Sequence, residues 1–179
     1  RGIALFIGNV DAPAQYKDNC YKWRQDSTWL YFFGIDEPRF AATIDLETGE
    51  ETIYADDFSI DDIIWMGPMP SVSSLAARVG VSRTAPYDAM SEALKGRAVH
   101  FVPASRYATR LKLAEILGLS PYEVTSDGKK GCAKASKALV EAVVGLRLIK
   151  EDVEITALEA ACDLGYSMHT AARKDIRPG

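Results

Sequence analysis

Asp18-Asn19-Cys20-Tyr21-Lys22-Trp23-Arg24-Gln25-Asp26-Ser27, running on to Trp29-Leu30-Tyr31-Phe32-Phe33-Gly34, is the passage on which the reading of this chain turns. Charged, amide and aromatic side chains crowd together just ahead of an apolar run that Gly34 closes. Residues 29–33 read as a buried strand, since aromatic residues suit a pleated, half-covered surface. Arg24 stands between two carboxylates, Asp18 and Asp26, and pairing with either is the plain structural account of its charge.

Outward from this passage the chain alternates strand and helix signals. Ile3–Ile7 is a short apolar run ended by Gly8-Asn9 and reads as a buried strand. Residues 40–46 and 51–55 flank Glu47-Thr48-Gly49-Glu50 and read as a hairpin. Residues 98–102, stopped by Pro103, form a later strand, and 122–125 offer another. Helices are expected over 71–79, 88–95 and 105–117, the last with Tyr107, Leu111, Ala114 and Leu117 on one face. Residues 126–131 read as a loop, with a helix from about Ala133. Strands mixed with helices, one hairpin among them, predict an α/β domain on a mixed sheet.

Gly145 interrupts the helical pattern and sets an expected boundary: residues 1–144 as one domain, 145–179 as a linker and one further helix. In that helix Ile155, Leu158, Cys162, Gly165, Met168 or His169, and Ala172 recur at three-four spacing, and Pro178 stops it. Such a stripe requires a partner, and a following domain is the expected one.

The chain has 179 residues, 47% apolar and 26% charged, enough for one domain with its own core. A net charge of −4 argues against a general nucleic-acid binder. The charge is uneven: residues 40–77 hold eight acids and no Lys or Arg, whereas 95–150 hold eleven bases against four acids. A solvated acidic face is the simpler reading of the first segment, with an intersubunit contact to the basic half as the other. Cys20, Cys132 and Cys162 have no metal-type spacing and are expected as free thiols of a reducing compartment or as small buried hydrophobes. No apolar run is long enough to span a membrane. The chain starts at Arg1, so a processed or trimmed N-terminus is expected.

Chemistry within the chain is sparse. His100 lies in an apolar strand and His169 on the inner stripe of the last helix, positions that favour packing over ligation. No H-E-x-x-H, paired-cysteine, G-x-S-x-G or phosphate-loop pattern occurs. Asp56-Asp57 and Asp61-Asp62 lack the alternating ligands of a calcium loop. Two places stand out: the passage from Asp18 to Gln25, and Ile63-Ile64-Trp65-Met66-Gly67-Pro68. Trp65 either caps the core or, exposed on a loop, grips a proline ring or another apolar side chain.

Three segments together resemble the N-terminal part of aminopeptidase P and its relatives, the creatinase/prolidase "pita-bread" metallopeptidases. They are Asp18 with Tyr21-Lys22-Trp23-Arg24-Gln25 and Tyr31-Phe32-Phe33-Gly34 before Glu37-Pro38; Ile64-Trp65-Met66-Gly67; and Leu146-Arg147-Leu148-Ile149-Lys150 with Glu154-Ile155 and Arg177-Pro178-Gly179. The chain departs from the family at Lys22, where Pro is usual, at Phe33, where Thr is usual, and at Glu151, where Ser often caps the helix and Asp152 could substitute.

The resemblance implies a mixed sheet of about six strands flanked by helices, related to the ribonuclease H arrangement, followed by a catalytic domain of which 145–179 supplies the first helix. In relatives that later domain holds two divalent metals, often manganese, on two Asp, one His and two Glu; the metals polarise the scissile carbonyl and activate water. None of those five ligands is matched here, so the resemblance implies no metal, cofactor or catalytic residue in this chain. It implies substrate-binding roles for Asp18, near the peptide amine end, and Trp65, against an apolar wall. The expected partners are the chain's own catalytic domain, further copies in a dimer or tetramer, and proline-containing peptides, with no nucleic acid and no membrane; the expected location is the cytoplasm. The activity the resemblance implies for the parent is metal-dependent hydrolysis of an N-terminal Xaa-Pro bond, as an aminopeptidase P or a prolidase-like dipeptidase. Open alternatives are a creatinase-like amidinohydrolase and a binding-only relative like the large subunit of the FACT histone chaperone.

Overall fold

Strand β1, Ile3–Ile7, is the axis of the sheet. Its alternation sends Ile3 and Leu5 to one face and Ala4 and Phe6 to the other, and all four are buried. That double burial explains why its sequence is continuously apolar rather than alternating. Strands β2, Ala41–Asp45, and β3, Glu51–Tyr54, form the expected antiparallel hairpin, and β2 lies antiparallel to β1 with Ile3 opposite Asp45. Strand β5, Val99–Phe101, runs parallel to β1 on its other side, and β4, Arg83–Ala85, runs parallel to β3. The order is β4-β3-β2-β1-β5. Gly2, at φ 116°, lets the chain enter β1 against the Ala98 carbonyl; a Cβ there would sit 2.3 Å from that oxygen.

The computed structural model describes residues 1–16, 18–124 and 135–178. Among these the sheet has five strands, against about six expected. The strand expected over 122–125 is a turn as far as it is described: Glu123 N–H donates to the Ser120 carbonyl, and the Glu123 carboxylate accepts from Ser120 N–H. Thr125, the loop at 126–131 and the helix start near Ala133 lie outside the described residues.

Residues 29–33 form no strand. They belong to helix α1, Ser27–Phe33. Asp26 is its N-cap, its carboxylate accepting from Thr28 N–H at 2.8 Å and Trp29 N–H at 3.0 Å, and Gly34 ends it in the left-handed region at φ 63°. Trp29 and Phe33, one helical turn apart, are buried and stack at 4.7 Å, and Phe6 meets Phe33 at 5.7 Å. The aromatics that suggested a pleated surface thus clamp a short helix to β1.

Helix α2, Ile60–Met66, and α3, Val72–Arg78, follow the hairpin. A 3-10 turn at Tyr87–Ala89 leads into α4, Met90–Ala93, and α5 covers Tyr107–Leu117. The main core joins Ile3, Leu5, Tyr54, Met90, Phe101 and Leu113 around Tyr87. Burial pushes the Tyr87 phenol up to about 12, and its hydroxyl has no hydrogen-bond partner among the described residues.

The chain divides into two compact units, 1–140 and 141–179. Helix α6, Lys137–Leu148, passes through Gly145 without a break, so that glycine ends no helix. Helix α7, Asp152–Asp175, starts at Glu151, whose N–H donates to the Glu154 carboxylate at 2.9 Å. None of its 24 residues is buried. No helix among the described residues is long and apolar enough to cross a membrane.

Candidate functional site

The residues between β1 and α1 are held by a buried polar centre. Gln25 is its hub: Oε1 accepts from Asn9 N–H at 2.6 Å and Asp26 N–H at 2.8 Å, while Nε2 donates to the Glu37 carbonyl at 2.8 Å. Asn9 extends it, donating from Nδ2 to the Arg24 carbonyl at 2.9 Å and accepting at Oδ1 from the Thr109 hydroxyl at 3.1 Å. Gln25, Asn9 and Thr109 are all buried, so each bond replaces a lost bond to water. Part of the stretch from Asp18 to Gly34 therefore serves structure. Arg24 is exposed and pairs with neither Asp18 nor Asp26; Asp26 is committed to the start of α1.

Above this centre the segments 12–16 and 18–21 form a small hairpin, with Pro13 bridged to Cys20. Tyr21 N–H donates to Ala12 at 2.9 Å, Ala14 N–H to Asn19 at 2.7 Å and Asn19 N–H to Tyr16 at 3.0 Å. Asp18 lies in its turn, exposed.

A second exposed feature follows β3. Ser59 and Asp62 close a reciprocal cap at the start of α2: Ser59 N–H donates to Asp62 Oδ2 at 2.9 Å, and Asp62 N–H donates to Ser59 Oγ at 3.2 Å. Asp57 Oδ1 accepts from Val72 N–H at 2.6 Å, tying the loop to α3. Trp65 stands on the last turn of α2 with 87% of its surface exposed, beside exposed Ile64 and Met66. It sits on a helix rather than a loop, and it does not cap the core.

Between these features runs a groove of about 420 Å³, lined by Pro13 near the hairpin, Phe58 and Asp62 at the start of α2, and Arg39 and Phe40 between them. Arg39 adopts φ 60°, a conformation uncommon for a residue with a side chain. Its N–H donates to the Asn9 carbonyl at 3.0 Å. Its guanidinium lies 3.3 Å from Asp56, 3.8 Å from Asp88 and 5.1 Å from the centre of the Tyr87 ring. Neither Asp18 nor Trp65 lines the groove, though the elements that carry them border it. Arg39 and the Asn9–Gln25–Thr109 centre were missed by sequence reasoning; only the Glu37-Pro38 pair ahead of Arg39 hinted at a constrained turn.

His100 Nε2 hydrogen-bonds the Arg1 carbonyl at 2.9 Å, a satisfied strand histidine, whereas His169 is exposed on α7. No group of three or more His, Cys, Asp or Glu among the described residues could hold a metal ion.

The fold and these features define an α/β domain with a mixed sheet, five-stranded among the described residues, whose distinctive groups sit at one sheet end around a groove of about 420 Å³. Residues 1–100 match the family described as "Aminopeptidase P, N-terminal domain", and the chain belongs to that family. Among curated relatives, a "Probable Xaa-Pro aminopeptidase" of Ajellomyces capsulatus (strain NAm1 / WU24) is 25% identical over 176 residues, covering 98% of this chain and 33% of its own length. One of Blastomyces gilchristii (strain SLH14081) is 25% identical over 177 residues, again with 33% of its length covered. The chain thus spans about a third of these relatives. Aminopeptidase P of Escherichia coli in its low-pH form superposes with a TM-score of 0.75 at 22% identity, over 99% of this chain and 41% of that one. Proline aminopeptidase P II of Yersinia pestis gives 0.76 at 20% identity, with 42% of its chain covered. At these identities the superpositions establish the fold.

Proposed function

We propose that this chain is the non-catalytic N-terminal portion of a metal-dependent Xaa-Pro aminopeptidase that works in the cytoplasm. The family match over residues 1–100 carries the reading, in a chain that spans about a third of its relatives' length. Residues 1–144 form the N-terminal domain, and 145–179 lead into a catalytic domain that holds two divalent metals, manganese by family likeness. Those metals supply Lewis-acid activation for amide hydrolysis. This chain shapes the pocket from outside: Asp18 offers a carboxylate to the peptide's amine end, and Trp65 offers an apolar wall to a side chain or proline ring. The exposure of both residues supports that role, because neither is spent on the domain's own core. The apolar surface of α2 around Trp65 suits contact with another copy in a dimer or tetramer.

The test is manganese-dependent release of the N-terminal residue from a short Xaa-Pro peptide by the uncut gene product, beside this 179-residue chain. Activity in the long form and none in the short one is expected. Silence in both overturns the reading in favour of a creatinase-like substrate or a binding-only relative. In the active long form, Trp65→Ala is expected to raise KM by about tenfold or more, the loss of one well-packed aromatic contact.

A further inference from the structure

The groove between the 12–21 hairpin and α2 has a composition that Trp65 and Asp18 do not account for. Phe40, Phe58 and Pro38 give it an apolar lining, while Asp11 and Asp57 add carboxylates. An aliphatic stem ending in a cation matches both halves at once: methylenes cover the rings and the charged head meets the carboxylates. Neutral apolar side chains would meet the rings but gain nothing from the carboxylates, which stay in water, and acidic ones would be repelled. We propose that this groove takes the side chain of an arginine or lysine of a bound peptide, so that the domain selects for a basic residue.

Which carboxylates are available decides where the head goes. Asp56 already receives the Arg39 guanidinium and Tyr87 N–H, the latter at 3.1 Å, and Asp62 is engaged by Ser59. Asp57 commits Oδ1 to Val72 N–H and keeps Oδ2. Asp11 makes no hydrogen bond or ion pair with the described residues and is exposed. The cation therefore sits between Asp11 and Asp57, with its stem along Phe58. Arg39 faces Asp56 and Asp88 rather than Asp11 or Asp57. The volume of about 420 Å³ falls in the range of small-ligand clefts and exceeds the need of one side chain, leaving room for the backbone that bears it.

The peptide as source of that side chain rests on the peptidase reading; the cation preference does not. The probe is therefore N-acetyl-arginine amide, which has no proline and no Xaa-Pro bond, set against its citrulline counterpart of nearly equal shape and no charge. Titrated by NMR into the 179-residue chain at low ionic strength, the arginine probe is expected to shift the amides of Asp11, Asp57 and Phe58. Citrulline should bind about fivefold more weakly or worse, and 0.5 M salt should erase most of the difference. The double variant Asp11→Asn with Asp57→Asn keeps an oxygen for Val72 N–H and is expected to fold as before while losing the preference. Equal binding of the two probes, or shifts confined to other residues, overturns the proposal. An uncut protein that cleaves Xaa-Pro peptides beside a chain that ignores arginine removes the groove alone. Arginine binding with no Xaa-Pro cleavage keeps the groove and removes the aminopeptidase reading.

Discussion

Gln25 joins the end of β1, the start of α1 and the segment after α1 through one side-chain amide. The Gln25 side chain is buried and its bond to Asn9 fully so, while those to Asp26 and Glu37 are partly buried. Gln25→Leu would therefore leave the N–H of Asn9 orphaned away from water and the Asp26 N–H and Glu37 carbonyl only partly rescued by it. With each orphan worth about 1–3 kcal/mol, a loss of about 3 kcal/mol is expected in urea unfolding, far above the ordinary substitution. Asp45 illustrates a different effect at the same scale. Arg97 Nη2, 2.8 Å away, is the main cause holding its carboxyl down to about 2, with the N–H groups of Glu47 and Thr48 adding to it and burial opposing. A depressed carboxyl stabilises the fold above the unfolded value of about 3.9, and that contribution is lost as pH falls through about 2. Carbon-detected NMR should therefore place the Asp45 midpoint near the bottom of the carboxylate range. Arg97→Gln should raise it and move the acid-sensitive window up, whereas an unmoved midpoint would rule out the arginine as the dominant cause.

At the scale of elements, α1 shows what local patterning can hide. Five successive apolar residues have neither a clear period of two nor of 3.6, and aromatic content tips them toward a strand. What decides is punctuation: Asp26 at the N-cap and Gly34 at the C-cap, both present in the sequence, outweigh propensity once Phe32 and Phe33 find Phe6 and Trp29 finds Phe40. Asp26→Ala should accordingly cost about 1 kcal/mol in chemical unfolding and Asp26→Ser much less, since serine keeps a capping oxygen. The same punctuation was legible and unused at α2, where Ser59 stands three residues before Asp62; the run of acids drew the reading toward a solvated loop. Strand β4 was not legible, because three residues paired along only one edge with β3 need no apolar alternation of their own. By contrast β1 is a clear apolar run closed by Gly8, β2 and β3 flank a Gly-containing turn, β5 is stopped by Pro103, and α3 and α5 carry apolar positions with Ser71 and Gly118 as caps. The site was readable only as residue types. The stretches that hold Asp18 and Trp65 stand out by composition and the roles expected of the two come from the family resemblance alone, whereas the groove beside them depends on Arg39 and Asp57, whose positions are set by tertiary bonds to Asn9, Asp88 and Val72.

For the molecule as a whole, the two units differ in how they treat apolar surface. Unit 1–140 buries its own: Trp29 is 1% exposed and Leu5 2%. In α7 the stripe of Ile155, Leu158 and Cys162 widens through Leu164 and Met168, while Thr156, Glu159, Asp163, Ser167 and Lys174 gather on the opposite side. Leu158 is 51% exposed and Leu164 64%. An apolar face that broad belongs to a helix covered from more than one direction, not to a surface helix lying on one neighbour. If the covering surface is the catalytic domain proposed above, the 179-residue chain in solution should bind a hydrophobic dye and self-associate with rising concentration. Leu158→Glu with Leu164→Glu should abolish both while leaving helical circular dichroism unchanged, because exposed positions contribute only about 0.5 kcal/mol to folding. The uncut protein should bind no dye at wild-type sequence and should lose stability or activity with the same two glutamates. Dye binding that persists in the uncut protein would mean that α7 stays open there, and that its apolar face serves a separate partner instead.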